Sequence, residues 1–199
     1  MHTYLALGDS YTIGELVESA YNFPHQTVAL LNTLGFTVAE PIIIATTGWT
    51  TDELANAIAE KNLQDTYSFV TLLIGVNNQY RGRDLDNYKI EFTELLQKAI
   101  HFAGKQPNHV FVLSIPDWGA TPFAEGKDRS QIALEIDDFN AANAQITAAC
   151  NCHYLNITNS TRINAVNTTF LASDGLHPSA KEYEVWANRL APLVCNVFN

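Results

Sequence analysis

A serine, a histidine and an aspartate stand where buried strands are predicted to end or a helix to begin. Ser10 closely follows the apolar segment Tyr4–Leu7, and His177 lies in Ser173-Asp-Gly-Leu-His-Pro178, just before the last predicted helix. A serine hydroxyl is a weak nucleophile until a base removes its proton. These residue types therefore predict nucleophilic catalysis, with Ser10 as the attacking group and His177 as its base.

Asp174 supplies the third group of this hypothesis. A histidine base needs the correct tautomer, and a carboxylate that accepts its other ring N–H fixes that tautomer. Asp174 stands three residues before His177, and Gly175 between them permits a tight turn. An exposed histidine in the loop before a helix is the alternative interpretation of this motif alone. The other five histidines lie at the chain terminus, in predicted helices or at a strand start: His2, His25, His101, His109 and His153.

Two further segments could donate hydrogen bonds to the oxyanion that forms during acyl transfer. Gly48 lies in Ala45-Thr-Thr-Gly-Trp-Thr-Thr51, and its backbone N–H has no side chain in the way. Asn77 lies in Ile74-Gly-Val-Asn-Asn78, and its side-chain amide donates hydrogen bonds without being able to act as a base. Each residue type is also common in ordinary turns. Their joint placement after predicted strands is what favours a catalytic site.

Short apolar segments alternate with segments of helical period, and this order would position the candidate residues. The apolar segments are rich in Val, Ile and Leu with little polar alternation, which is typical of strands buried on both faces. They are Tyr4–Leu7, Phe36–Ala45, Phe69–Ile74, Val110–Ile115 and Tyr154–Ile157. The predicted helices are Pro24–Leu34, Thr50–Lys61, Asp84–Ala103, about 130–149, and a last helix that follows Ser179 and that Pro192 should end or kink.

This order predicts an α/β protein, with a parallel sheet of about five strands and helices on both faces, in one domain over residues 1–199. Thr50-x-x-Glu53 and Ser179-x-x-Glu182 match the capping box that begins helices. Ligands bind beyond the carboxyl ends of the strands in such sheets. The longest segments expected to be irregular lie there: Tyr11–Phe23, Gln79–Arg83, Pro116–Arg129 and Thr158–Asp174.

The composition and charge of the chain disfavour several classes of protein, among them nucleic-acid-binding and membrane-spanning proteins. The 199-residue chain has a net charge of −10, which disfavours binding to nucleic acid. No apolar run approaches the roughly 20 residues of a membrane span. The three cysteines, Cys150, Cys152 and Cys195, match neither a disulfide framework nor a metal site, so we expect no metal. Residues 1–8 lack the features of a signal peptide, so we expect a cytoplasmic protein, although a chain with its signal removed would look the same.

Four segments in chain order resemble the SGNH hydrolases, the GDSL-type esterases and lipases: Gly8-Asp9-Ser10, Gly48, Asn77 and Asp174-Gly-Leu-His177. The resemblance implies a three-layer αβα sandwich with a flavodoxin-like sheet and no cofactor. It implies Ser10 as nucleophile, His177 as base and then acid, and Asp174 as the orienting carboxylate. It also implies an oxyanion hole made of the Ser10 N–H, the Gly48 N–H and the Asn77 side chain.

One residue departs from the family pattern. Asn78 stands where the family often has aspartate, and we expect altered hydrogen bonding around the site with catalysis retained. Asp9 is adjacent to Ser10, which makes it unsuitable as the acid of the triad. We expect Asp9 to hold the turn through backbone hydrogen bonds.

Together these features predict a serine esterase that hydrolyses small-molecule carboxylic esters. Short acyl groups such as acetyl are favoured, because the sequence shows no long apolar lid. A lysophospholipase or thioesterase activity at the same site is an alternative. So are a flavodoxin-like electron carrier and an inactive carbohydrate-binding module on the same scaffold. We expect a monomer.

Several residues near the strand ends have two open interpretations. Trp49, Tyr80, Asp117-Trp118 and Phe123 either line the cleft or pack beneath long loops. Arg81 and Arg83 either meet an anionic or sugar substrate or are solvated loop residues.

Overall fold

A parallel β-sheet forms the centre of the molecule. The computed structural model describes residues 1–61, 63 and 66–198. Within these residues the sheet has five strands in the order β2-β1-β3-β4-β5, and every pairing is parallel. The strands are β1 (Tyr4–Gly8), β2 (Ile42–Ala45), β3 (Phe69–Leu73), β4 (Val110–Leu113) and β5 (His153–Leu155).

Helices cover both faces of this sheet. The α-helices are α1 (Ser10–Ile13), α2 (Phe23–Thr33), α3 (Thr51–Glu60), α4 (Val76–Tyr80), α5 (Leu85–Phe102), α6 (Arg129–Ala149), α7 (Thr158–Asn164) and α8 (Ala180–Phe198). Helix α2 packs against α8, whereas α5 packs against both α3 and α6. The predicted α/β fold with a three-layer arrangement is therefore confirmed. In the described part of the chain, no helix is both long enough and apolar enough to cross a bilayer.

The register of the central strands brings the residues that follow β1, β2 and β3 to the same edge of the sheet. Every residue of β1 and β3 is buried, which explains why neither strand shows polar alternation. Gly8, the last residue of β1, pairs with Ala45 of β2 on one side and with Leu73 of β3 on the other. The strand order changes direction at β1, and ligands bind at such a switch point beyond the carboxyl ends of the strands.

Two predicted strands differ from the observed ones. Only Ile42–Ala45 of the segment Phe36–Ala45 forms a strand, and Val38 makes an isolated bridge with His2. The last strand is His153–Leu155 rather than Tyr154–Ile157. The chain leaves the sheet before Ile157, because the Ile157 N–H donates to the Ser114 hydroxyl at 2.8 Å and not to a strand.

Three of the segments expected to be irregular overlap short helices, namely α1, α4 and α7. Each has at most seven residues, so the apolar period that reveals a long helix cannot develop. Two of them follow β1 and β3 directly. They therefore place Ser10 and Asn77 on helices rather than in loops.

The last helix differs from its prediction at its start, and Pro192 does not end it. Of the two outcomes expected at Pro192, an end or a kink, the end does not occur, since α8 continues to Phe198. The buried residues Trp186, Leu190 and Val194 continue the apolar stripe past the proline, and their packing offsets the missing N–H donor.

At the start of α8, the Ser179 hydroxyl accepts a hydrogen bond from the Lys181 N–H at 3.2 Å, but no capping box forms. The Glu182 carboxylate instead accepts hydrogen bonds from Ser160, Asn164 and Trp186.

Candidate active site

Ser10 begins α1, immediately beyond the end of β1. A Cβ atom on Gly8 would lie 2.1 Å from the Thr12 hydroxyl and 2.5 Å from the Leu73 carbonyl oxygen, so only glycine fits there. Asp9 caps the short helix, because its Oδ1 accepts a hydrogen bond from the Tyr11 N–H at 3.0 Å. The expected structural role of Asp9 is confirmed. This tight connection holds the Ser10 side chain at the edge of the sheet.

His177 reaches Ser10 from the other end of the chain. Its Nε2 lies 2.9 Å from the Ser10 Oγ, and its ring is almost fully buried. The Tyr11 ring lies beside it, with 5.2 Å between the ring centroids. A hydroxyl and a ring nitrogen at this distance can share a proton. The structure therefore brings the predicted nucleophile and base together.

Asp174 contacts the opposite side of the His177 ring. Its Oδ2 lies 2.6 Å from Nδ1, while its Oδ1 accepts the backbone N–H groups of Leu176 and His177, each at 3.0 Å. Gly175 has a φ of +66°, which a glycine adopts readily. Partial burial acts to raise the pKa of Asp174, but these hydrogen bonds outweigh it and lower the pKa. The carboxylate is thus charged at neutral pH and can hold the Nδ1 proton.

Gly48 and Asn77 lie at the same cavity as Ser10 and His177. Gly48 has a φ of +85°, in the turn between β2 and α3. The Asn77 Nδ2 donates to the Trp49 carbonyl oxygen at 3.0 Å, and a longer contact of 3.5 Å leads to Asp9 Oδ2. The five predicted site residues, Ser10, Gly48, Asn77, Asp174 and His177, are therefore brought to one place.

Asn78 has a separate role beside this cluster. It is fully buried, its Oδ1 accepts the Thr51 N–H at 3.1 Å, and its Nδ2 donates to the Thr51 hydroxyl at 2.7 Å. The amide thus serves as acceptor and donor at the first residue of α3. An aspartate at position 78 has no N–H to donate to the Thr51 hydroxyl. It could only accept from that hydroxyl, which already donates its hydrogen to Glu91.

The cavity has a volume of about 180 Å³, and much of its wall is apolar. Its lining residues are Ser10, Tyr11, Thr47, Gly48, Val76, Asn77, Tyr80, Trp118, Phe123, Leu176 and His177. Trp118 is fixed there, because its indole N–H donates to Gln79 at 2.7 Å and Gln79 donates to Glu135 at 2.7 Å. The Tyr80 and Trp118 rings meet edge to face at 5.1 Å. These contacts make one wall of the cavity rigid and aromatic.

Two residues expected as possible lining residues lie elsewhere. Among the described residues, neither Trp49 nor Asp117 borders the 180 Å³ cavity. The Trp49 side chain packs against the hydrophobic core. Asp117 accepts the Gly119 N–H at 2.9 Å and pairs with Arg162 at 2.8 Å, so it fixes the loop that carries Trp118.

Sequence reasoning did not single out Tyr11, Val76 or Leu176 as part of the cavity wall. Tyr11 and Leu176 are direct neighbours of Ser10 and His177, and this adjacency is the signal that could have found them. Leu176, Tyr11 and Trp118 also border a second, smaller cavity of about 20 Å³. These three side chains therefore form the partition between the two cavities.

The described residues offer no group of three His, Cys, Asp or Glu side chains that could hold a metal ion. The site consists instead of a hydroxyl, an imidazole, a carboxylate and amide donors. A set of groups of this kind has the chemistry needed for acyl transfer by nucleophilic attack.

A parallel α/β sheet with such a site at its switch point belongs to an enzyme, and the enzyme is a carboxylic ester hydrolase. The chain is a member of the GDSL-like lipase/acylhydrolase family, whose model matches residues 6–185. The resemblance to SGNH hydrolases stated from the sequence is confirmed. Family membership also argues against the electron carrier that the sequence left open.

Solved structures share this fold. A lipase/acylhydrolase from Enterococcus faecalis is 21% identical, with a TM-score of 0.75 over 98% of this chain and 96% of that chain. A variant of Axe2, an acetyl xylan esterase from Geobacillus stearothermophilus, is 18% identical, with a TM-score of 0.75 over 97% and 94%. The esterase EstA from Pseudoalteromonas sp. is 17% identical, with a TM-score of 0.72 over the whole of both chains. No curated protein sequence matches the chain significantly.

Proposed function

We propose that this protein is a serine esterase for small esters with short acyl groups, and that Ser10, His177 and Asp174 form its catalytic triad. The observation that carries the proposal is the continuous chain of contacts between these side chains. Ser10 Oγ lies 2.9 Å from His177 Nε2, and His177 Nδ1 lies 2.6 Å from Asp174 Oδ2.

In the first step the Ser10 oxygen attacks the ester carbonyl carbon while His177 Nε2 takes the hydroxyl proton. Asp174 keeps the other ring proton on Nδ1, so that Nε2 is free to act as the base. It also stabilises the imidazolium that forms. The carbonyl π electrons move to the carbonyl oxygen, and a tetrahedral oxyanion results.

Three donors would stabilise this oxyanion: the Ser10 N–H, the Gly48 N–H and the Asn77 side chain. The Asn77 amide carries two hydrogens, and one is held by the Trp49 carbonyl at 3.0 Å. The contact of the other with Asp9 is long, at 3.5 Å. An oxyanion in the cavity would offer this second hydrogen a shorter and stronger bond.

The tetrahedral intermediate then collapses. The bond to the alcohol oxygen breaks, and His177 gives its Nε2 proton to the departing alcohol. Water next attacks the acyl group on Ser10 by the same route, with His177 again as the base. The products are the carboxylic acid, the alcohol and the free Ser10 hydroxyl.

The cavity size supports short acyl groups. Its volume of about 180 Å³ is below the roughly 300–1,000 Å³ typical of ligand pockets. The apolar walls from Val76, Tyr80, Phe123 and Leu176 suit a short hydrocarbon portion of the ester. The structural relative from Geobacillus stearothermophilus is named as an acetyl xylan esterase, which is consistent with acetyl esters as substrates.

The test compares wild-type protein with the variant Ser10→Ala in hydrolysis of p-nitrophenyl acetate. We expect kcat to fall by at least about 10³-fold, because the attacking oxygen is gone. Ser19→Ala is the matched control, since this exposed serine precedes α2 and should leave the rate unchanged. Near wild-type turnover in Ser10→Ala would refute the proposal. So would a fluorophosphonate probe that labels some other residue in wild-type protein.

A further inference from the structure

Arg81 connects the end of α4 to the turn that contains Gly48. Its Nη2 donates to the Gly48 carbonyl oxygen at 2.6 Å, and its Nη1 lies 3.4 Å from the Glu53 carboxylate on α3. We propose that Arg81 is a positioning residue: by holding the Gly48 carbonyl it limits rotation of the Gly48 backbone, so that the Gly48 N–H, in the preceding peptide group, points at the oxyanion. This inference rests on the proposed function, because the oxyanion arises only if Ser10 attacks an ester.

The turn around Gly48 has few other constraints, one of which is the hydrogen bond from the Trp49 N–H to the Thr46 carbonyl at 3.3 Å. Glycine has more backbone freedom than any other residue, and Gly48 adopts a φ of +85°. Thr46 and Thr47 before it are exposed, so side-chain packing does not hold this part of the turn. The Thr47 hydroxyl donates to Glu15, which restrains the turn from the side of α1. Arg81 restrains it from the opposite side, at the Gly48 carbonyl.

Helix α4 would position two of the three donors of the oxyanion hole, namely the Gly48 N–H and the Asn77 side chain. Asn77 and Arg81 are four residues apart, and the Arg81 N–H donates to the Asn77 carbonyl at 3.0 Å, so they lie one helical turn apart. Asn77 Nδ2 binds the Trp49 carbonyl and Arg81 binds the Gly48 carbonyl, which are consecutive groups of the turn. The relative position of the Gly48 and Asn77 donors is therefore set by one short helix.

Arg83 provides a matched comparison. It lies in the same connection between α4 and α5 and also pairs with α3, through Asp52 at 2.6 Å. Among its contacts in the described residues, none is with the Gly48 turn. Arg81→Ala and Arg83→Ala thus remove the same charge and one ion pair with the same helix. They differ in the bond to the Gly48 carbonyl.

The experiment measures kcat and KM for p-nitrophenyl acetate in wild-type protein, Arg81→Ala, Arg83→Ala and Arg81→Lys. It also measures the rate at which a p-nitrophenyl phosphonate inactivates each, because the phosphoryl oxygen must enter the same hole. We expect Arg81→Ala to lower both kcat and the inactivation rate about tenfold, while KM changes by less than about twofold. Arg83→Ala should keep both rates, and Arg81→Lys, which retains a donor, should recover part of the loss.

Equal rates in Arg81→Ala and Arg83→Ala would overturn the inference. A raised KM with unchanged kcat in Arg81→Ala would also overturn it, since this pattern indicates contact with the substrate. If Arg81→Ala does not fold, Arg81→Gln is measured by the same criteria. A wild-type protein without esterase activity, or an active Ser10→Ala, would instead refute the proposed function itself.

Discussion

Replacing Asp9 with asparagine should change how the stability of this protein depends on pH. The Asp9 side chain is fully buried between Ser10 and the end of β1. Burial raises the pKa of this carboxyl from 3.8 to about 7, and the hydrogen bonds from backbone N–H groups offset this only in part. Between these two pH values the folded protein keeps a proton that the unfolded chain has released.

The sign and size of the effect follow from this difference. Because the folded state binds more protons, the free energy of unfolding falls as the pH rises from about 4 to about 7, and this loss stops above pH 7. The interval is roughly three pH units, and each corresponds to about 1.4 kcal/mol. Ionised Asp9 should therefore cost about 4 kcal/mol of stability at pH 8 relative to pH 4.

The measurement is urea denaturation of wild-type protein and Asp9→Asn at several pH values from 4 to 8. Since the asparagine does not titrate, the variant should gain about 4 kcal/mol over wild-type protein across this range. The new amide beside Asn77 also alters the free energy of unfolding, but a contribution that is the same at every pH cancels when pH 4 and pH 8 are compared. Asp138→Asn, at an exposed position, controls for the altered net charge. A difference between Asp9→Asn and wild-type protein that varies by less than about 1 kcal/mol would refute the reasoning.

Two further substitutions test the walls of the cavity. Asn77→Ala should lower kcat for p-nitrophenyl acetate by about 10²–10³-fold with little change in KM, as for other oxyanion donors, and a loss under threefold would remove Asn77 from the hole. Leu176→Ala should join the 180 Å³ and 20 Å³ cavities, because Leu176 borders both. The ratio of kcat/KM for p-nitrophenyl hexanoate to that for acetate should then rise about tenfold, and an unchanged ratio would show that Leu176 does not limit the acyl chain.

The long elements and the motif residues could be predicted because their signals are local. A buried strand such as β3 is marked in the sequence by an apolar segment interrupted only by Thr71. Helix α5 shows its apolar period over 18 residues. Asp174 and His177 could be paired because a separation of three residues lets one short turn join them. In each case the signal lies within one continuous segment of the chain.

The cavity wall could not be predicted in the same way, since it depends on how distant segments pack. Trp49 and Trp118 both follow strands, and nothing in their local sequence distinguishes them. In the structure the Trp118 ring borders the cavity, whereas Trp49 contributes a backbone carbonyl to Asn77. The two arginines were ambiguous for the same reason, because their partners Gly48, Glu53 and Asp52 lie about 30 positions earlier.

The contact between Ser10 and His177 joins residues 167 positions apart. During synthesis the Ser10 hydroxyl leaves the ribosome 167 residues before the His177 imidazole. Helix α8, which follows His177, packs against α2, which follows Ser10. Under the proposed triad, ester hydrolysis reports that both of these distant segments have folded, and a partly folded molecule that keeps them apart would be inactive even with most of its sheet assembled.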